Sequence, residues 1–165
     1  MRVPRNHKPY LQIIRSMILI VLFFSHCFSF QTEGLSKGQT VYVSVDSNVL
    51  TAPRGVPFSL GTTLVIRNTD MSNSLRVVTA DFYDAEGKLL KRFVEGVLDL
   101  RPLETKYVHL SERNAIGSLG ANFIVRWSAD REINAPIIEC LMIGTQSGQG
   151  ISFISTGKVI KEHIQ

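Results

Sequence analysis

The chain contains little cysteine. Its two cysteines are Cys27 and Cys140. If Cys27 is removed or acylated during export, Cys140 has no partner in the chain, so no disulfide framework is expected. Cys140 lies in the apolar run PIIECLMIG, where a free cysteine packs as a small hydrophobic side chain. A catalytic role is not expected for it, because a reactive thiolate needs an electropositive, partly exposed site.

Histidine is equally scarce, and this argues against a metal site. Beyond residue 29 only His109 and His163 remain. One cysteine and two scattered histidines do not match the local spacing of a zinc site. Asp81, Asp84 and Glu86 in DFYDAEG lack the alternating Asp/Asn ladder of a calcium loop. The sequence therefore predicts no metal and no cofactor.

Acidic residues are absent from the start of the chain, and the first is Glu33. Residues 1–29 hold four of the 18 Lys and Arg residues and none of the 14 Asp and Glu residues, so the remainder carries 14 of each sign. A neutral domain lacks the basic footprint of a nucleic-acid-binding protein, and we exclude that class of partner. The length of 165 residues favours a single domain.

The N-terminal segment predicts export. The basic stretch MRVPRNHKPYLQIIRS is followed by an apolar run from Met17 to Phe24, as in a signal peptide. The alternative is an uncleaved anchor over residues 13–30, a segment that approaches the ~20 apolar residues of a membrane span. We expect residues 1–29 to be a signal peptide or anchor, and the protein to be periplasmic or held on the extracytoplasmic side of the membrane.

Cys27 leaves the processing of this segment open. A cysteine directly after an export segment is the lipidated residue of bacterial lipoproteins. The preceding residues are Phe24, Ser25 and His26. Ser25 suits a lipidation site, whereas His26 is bulky where a small residue is expected. Cleavage after Ser29 is the rival prediction, and Cys27 would then be removed.

The remainder of the chain divides into a short linker at 30–38 and a domain at 39–162 in which hydrophobic residues alternate with polar ones. In TVYVSV every second residue is a valine, and in SLGTTLVIRN every second residue from Leu60 to Ile66 shares one face. In ANFIVRWS the residues Ala121 to Trp127 alternate in the same way. Period two marks half-buried strands, whereas LRVVTADFY is apolar on both faces and does not reveal which face is buried.

Further strand candidates are KLLKRF, TKYVHL, IIECLMI and ISFIS, and turn-forming segments separate the runs. About seven or eight short strands with such turns predict an all-β antiparallel β-sandwich of Ig-like architecture. The cysteine–tryptophan–cysteine signature of antibody domains is absent, so Ig-like describes only the expected architecture.

A glycine-rich stretch, GTQSGQG, joins two of these runs. Gly144, Gly148 and Gly150 do not have phosphate-loop spacing, and the ISFIS that follows is a strand pattern rather than a helix. The simplest prediction is a connection between two strands. The functional alternative is that Gln146 and Gln149 offer paired amides to a partner.

Catalytic residues are poorly represented. His109, Ser111 and Glu104 would make a serine–histidine–acid set, but no nucleophile elbow surrounds the serine. Trp127 falls on the apolar phase of its strand, which favours packing over display to a carbohydrate. An envelope hydrolase using His109 and a carbohydrate-binding domain are therefore kept as alternatives, and we predict that the protein is not an enzyme.

Several polar residues are candidates for recognition. Arg126 lies on the polar face of the tryptophan strand, and Arg67, Asn68 and Asp70 lie at the end of an earlier strand. Together with Gln146 and Gln149 they form the predicted binding residues, with an envelope protein or ligand of unknown identity as partner.

Five segments resemble one family. They are RNTD (67–70), YDAEGKLL (83–90), GANFIVRW (120–127), NAPI (134–137) and MIGTQSGQGISF (142–153). With the segments in this order, the chain from about Gln39 to Ile160 is similar to a bacterial family known as domain of unknown function 3124. The resemblance implies a short exported protein and no assigned activity. We therefore expect a non-catalytic binding or assembly module of the cell envelope.

Overall fold

The computed structural model describes residues 34–51, 55–110, 119–146 and 148–163. The predicted export segment with Cys27, the first part of the predicted linker and Ser111 lie outside these ranges. Nowhere in the described ranges is there a helix with the length and hydropathy needed to cross a membrane.

Strands dominate the described residues, as the period-two patterns predict. They are β1 (Ser36–Asp46), β2 (Asn48–Thr51), β3 (Val56–Ser59), β4 (Gly61–Arg67), β5 (Leu75–Tyr83), β6 (Leu89–Arg92), β7 (Leu98–Leu100), β8 (Thr105–Leu110), β9 (Leu119–Ile133), β10 (Ile137–Gln146), β11 (Gln149–Thr156) and β12 (Lys158–Glu162). These twelve strands exceed the seven or eight predicted, because β2, β3, β7 and β12 are too short to show a clear alternation. β1 begins inside the segment predicted as a linker.

The strands form two main antiparallel sheets. In the first sheet the order is β12-β1-β9-β5-β6, with β7 also paired to β5, and in the second it is β11-β10-β4-β8. A separate hairpin joins β2 and β3. The predicted all-β antiparallel sandwich is confirmed, whereas the Ig-like label is not.

The core lies between the inner faces of the two sheets. Val41, Val43 and Val45 of β1 are buried, as are Phe123 and Trp127 of β9. These are the residues whose alternation predicted inward-facing positions, and each contributes about 1.5–3 kcal/mol by leaving water. Thr62, Leu64 and Ile66 on the inner side of β4 are buried as predicted, and so is Leu60 just before the strand.

The pairing of β5 with β9 explains why its sequence, LRVVTADFY, is apolar in both phases. Leu75 and Val77 are buried, and so are Ala80 and Phe82, although the two pairs are out of phase. The register with β9 shifts between Val77 and Thr79. A β-bulge at Val78 therefore changes the phase within one strand, so that both apolar sets point into the core.

The chain passes from one sheet to the other at Gly157. β11 pairs with β10 in the second sheet, and β12 pairs with β1 in the first. The Gly157 N–H donates to the Ile138 carbonyl at 2.8 Å. A Cβ at this position would lie 2.6 Å from both that carbonyl oxygen and Val41 Cγ1, so a side chain would collide with the backbone it bonds.

Candidate functional site

The glycine-rich stretch is the tip of the β10–β11 hairpin. Gln146 pairs with Gln149, which leaves a two-residue connection that contains Gly148 with a φ of 79°. The prediction of a strand connection is confirmed. Directly paired residues of an antiparallel ladder project to the same side, so the exposed side chains of Gln146 and Gln149 stand together at the tip.

Asn68 has a structural position rather than an open one. Its side chain is buried, with 2% of its surface exposed. Its Nδ2 donates to the carbonyls of Asn73 at 2.8 Å, Arg101 at 3.0 Å and Leu100 at 3.3 Å. Its Oδ1 accepts the Asp70 N–H at 3.0 Å. This single amide therefore fastens the loop after β4 to the loop after β7.

Asp70 organises the same loop. Its Oδ1 accepts the backbone N–H of Ser72 at 2.9 Å and of Asn73 at 2.8 Å, while Oδ2 accepts the Asn134 N–H at 3.3 Å. These donors, with those of Ser72 and Asn73 foremost, lower the pKa of Asp70. The carboxylate is thus committed to stabilising its own loop.

Arg67 lies elsewhere, on the outer face of the second sheet. Its Nε is 3.5 Å from Glu139 Oε1, its neighbour on β10. Because Arg126 projects from the first sheet, the structure does not bring the six predicted binding residues into one patch. Their role in recognition stays a prediction.

The outer face of the second sheet carries apolar side chains among its polar ones. Val65 pairs with Tyr107, and Leu141 pairs with Ile154. Ile143 follows Leu141 on the same side of β10. Tyr107 is 72% exposed, Ile154 59% and Ile143 48%. We call these five residues the outer apolar face.

The sequence of β10 carries a signal for this face. In IIECLMI the residues Ile137, Leu141 and Ile143 are apolar, and so are Ile138, Cys140 and Met142 between them. A half-buried antiparallel strand normally alternates apolar and polar residues. β10 pairs with β4 and β11 without a register shift, so its two apolar phases lie on opposite faces of the sheet, unlike those of β5.

Arg126 lies beside a cavity on the outer side of the first sheet. The cavity has a volume of about 210 Å³ and is lined by Lys37, Val78, Arg126, Trp127, Ser128 and His163. We call it the basic cavity. The sequence did not single out Lys37 and Lys161, and it offered His163 only as a metal ligand, because only strand pairing brings these residues near Arg126.

His109 is not part of a catalytic set among the described residues. Its Nδ1 is 2.9 Å from Thr63 Oγ1 on the outer face of β4. Glu104 precedes β8, about 16 Å away along an extended strand. Its carboxylate contacts Lys106 Nζ at 2.8 Å and the Arg101 N–H at 2.9 Å, and these contacts lower the pKa of Glu104 to about 2.

The other residues considered for chemistry lie in the core. Burial raises the pKa of Cys140 to about 12, so its thiol is neutral and shielded. Trp127 is fully buried, in agreement with the packing role predicted from its phase. The described ranges contain no group of three His, Cys, Asp or Glu side chains placed to hold a metal ion.

Comparison with known proteins identifies the family of this chain. A structure described as the crystal structure of Thermotoga maritima 1070 is similar to this chain with a TM-score of 0.45 and 10% identity, over 76% of this chain and 97% of that one. No curated protein matches the chain. Residues 38–160 match the family described as protein of unknown function DUF3124, and the chain belongs to that family.

Proposed function

We propose that this protein is a non-catalytic binding module of the cell envelope that docks a protein partner on the outer apolar face. The observation that carries this proposal is the exposure of Tyr107, Ile143 and Ile154 on one side of one sheet. The envelope location rests on the predicted export segment. The non-catalytic character is supported by the separation of His109 from Glu104 and by the burial of Cys140.

Exposed apolar area has a thermodynamic cost that a partner would remove. Each Å² of apolar surface taken from water contributes about 25 cal/mol to association. Three of these side chains are contiguous, because Ile143 and Leu141 are neighbours along β10 and Ile154 lies opposite Leu141. A contiguous apolar patch on a sheet is typical of a protein interface.

The polar groups on the same face are already paired with each other. Arg67 contacts Glu139, and His109 contacts Thr63. A partner that covers this face would therefore not leave an unpaired charge beneath it, which is the main penalty in burying polar residues. The glutamine pair at the hairpin tip lies at the end of the strands that carry Ile143 and Ile154, so it offers the partner a polar contact at the rim.

The test is site-specific photo-crosslinking of the full chain in its native host. A photoreactive residue replaces Ser152, which is exposed and pairs with Ile143. We compare the otherwise native chain with the Ile143→Ser/Ile154→Ser variant. Loss of apolar contacts should abolish the crosslinked product, while the folded state is retained because both side chains already lie partly in water.

The matched control is Val159→Ser/Ile160→Ser on β12, whose side chains are 42% and 54% exposed at the edge of the other sheet. This control should give the same product as the native chain. An equal product from all three chains would contradict the docking surface. A substrate turnover that depends on His109 would contradict the non-catalytic part of the proposal.

A further inference from the structure

Cations from three strands of the first sheet lie in or beside the basic cavity. Thr40 of β1 pairs with Lys161 of β12 on one side and with Arg126 of β9 on the other. Directly paired residues project to the same face of a sheet, so both cationic side chains flank Thr40 on the solvent side. Arg126 and Lys37 line the cavity, whereas Lys161 lies beside Thr40 and is not part of the lining.

His163 completes the group because the chain after β12 is held against β1. Its backbone N–H donates to the Gly38 carbonyl at 2.8 Å, and its Nε2 is 2.8 Å from Thr40 Oγ1. The imidazole is therefore fixed at the cavity wall, and its Nδ1 has no partner among the residues that the structure describes.

No carboxylate in the described ranges neutralises these cations. Arg126, Lys37 and Lys161 form no ion pair there, whereas Arg76 on the neighbouring β5 is paired with Asp130. Glu162 is the nearest acid in sequence, but its Oε1 accepts Gln39 Nε2 at 2.6 Å and its Oε2 accepts Ser36 Oγ at 2.8 Å. Both oxygens therefore accept hydrogen bonds from other residues and form no ion pair with Arg126, Lys37 or Lys161 in the described ranges.

Like charges held together without a counter-ion oppose folding, so an anion that binds among them would stabilise the protein. An arginine fork and two ammonium groups supply more positive charge than one carboxylate neutralises. A phosphate group carries about −1.5 to −2 charge near neutral pH and has three acceptor oxygens. Ser128 is also in the lining, and a serine hydroxyl can donate to one of these oxygens.

We propose that the basic cavity is a phosphate-binding site in which Arg126 and Lys37 hold the phosphate oxygens, Lys161 beside Thr40 adds positive charge at its edge, and His163 completes the site. This site lies on the opposite side of the sandwich from the outer apolar face. It takes a phosphate group either of a small soluble compound or of a phospholipid headgroup.

The environment of His163 makes binding depend on pH. Partial burial and then the charges of Arg126 and Lys161 lower the pKa of His163, and Glu162 opposes them. A bound anion cancels the effect of the two cations and raises this pKa, so the complex takes up a proton. Anion affinity should therefore increase as the pH falls through the titration of His163.

The test is isothermal titration of the full chain, kept in an uncharged detergent, with inorganic phosphate and with sulfate. Sulfate remains a dianion over the mildly acidic and neutral range, so any pH dependence of its binding comes from the protein. We expect one saturable site. The Arg126→Gln/Lys161→Gln variant should bind about tenfold or more weakly, because a lost charge-assisted hydrogen bond corresponds to about that factor.

The matched control is Lys88→Gln/Arg92→Gln, which removes the same charge from exposed positions at the far edge of the sheet. It should bind within about twofold of the native chain, since screened charges at this distance have little effect. Equal weakening in both double variants, or no saturable binding of either anion by the native chain, would overturn the proposal.

Two further arms separate the role of His163 and the source of the phosphate. His163→Gln should bind sulfate with no increase between about pH 8 and about pH 5.5, and an unchanged pH profile would remove His163 from the site. Phosphatidylglycerol vesicles that displace sulfate, with phosphatidylcholine vesicles as reference, would identify a headgroup ligand. Sulfate binding that phosphatidylglycerol does not displace would exclude this headgroup and favour a small soluble phosphate compound.

Discussion

At the scale of single residues, polar side chains in the turns of this protein occupy two different environments. Asn68 and Asp70 are buried and bond to backbone groups of three loops. Gln146 and Gln149 are exposed at a hairpin tip. The residue types alone do not distinguish these environments, because asparagine and aspartate favour both turn formation and recognition.

Asp70 should give the protein a specific sensitivity to acid. Its pKa is lowered from 3.8 by the N–H groups of Ser72 and Asn73. The corresponding stabilisation is complete above the unfolded-state pKa and is lost as the pH falls through the lowered folded-state pKa. We expect Asp70→Asn to be less stable than the native chain at neutral pH, with a difference that shrinks below about pH 4.

Urea unfolding at a series of pH values measures this difference. Glu95→Gln is the control, because Glu95 is an exposed carboxylate with no hydrogen bond among the described residues. Its stability should follow that of the native chain at every pH. A stability deficit in Asp70→Asn that stays constant into the acid range would show that the charge of Asp70 is not what holds the loop.

At the scale of elements, the two sheets are connected by a strand that changes partners. β11 and β12 form one extended segment that leaves the second sheet and joins the first at Gly157. The same crossing places Lys161 and His163 beside Arg126. The basic cavity therefore depends on this crossing, whereas the outer apolar face depends on β4, β8, β10 and β11.

Gly157→Ala should destabilise the protein by about 1–3 kcal/mol, since a methyl group 2.6 Å from the Ile138 carbonyl oxygen and from Val41 Cγ1 forces the crossing apart. The midpoint of urea unfolding measures the effect. Gly34→Ala is the matched control, because no atom lies within 4 Å of the position of its added Cβ. Equal midpoints for the two variants would show that the crossing adjusts without cost.

At the scale of the whole molecule, the sandwich separates two surfaces of different chemistry. The outer side of the first sheet carries the basic cavity, and the outer side of the second carries the outer apolar face. The shared core lies between them, so a phosphate ligand and a protein partner would not compete for the same residues.

Cys140 reports on the integrity of that core. Burial raises the pKa of its thiol to about 12, so both access and ionisation protect it in the folded state. In a Cys27→Ser chain, iodoacetamide should modify Cys140 only at the rate of global unfolding. Mass spectrometry over time, with and without urea, measures this rate.

The comparison chain is Cys27→Ser/Ser152→Cys, which adds a thiol at an exposed position of β11. The added thiol should react rapidly without urea, while Cys140 in the same molecule stays unmodified. Rapid modification of Cys140 in the absence of urea would show that the second sheet opens locally rather than with the whole molecule.

The sequence by itself determined the all-β class, the inward faces of β1, β4 and β9, and the family. Alternation of side chains is a local property of an extended chain, so these features can be read without knowing which strands pair. The hairpin at Gln146–Gln149 was also predictable, because a two-residue turn involves only neighbours in sequence.

Only the tertiary structure decided which face of β5 is buried, and which outward-facing residues meet. The bulge at Val78 shifts the phase inside one strand, and its place depends on the register with β9. Arg126 and Lys161 become neighbours through Thr40, although all three are far apart in the chain. Pairing between distant strands is set by how the whole core packs, and no local pattern records it.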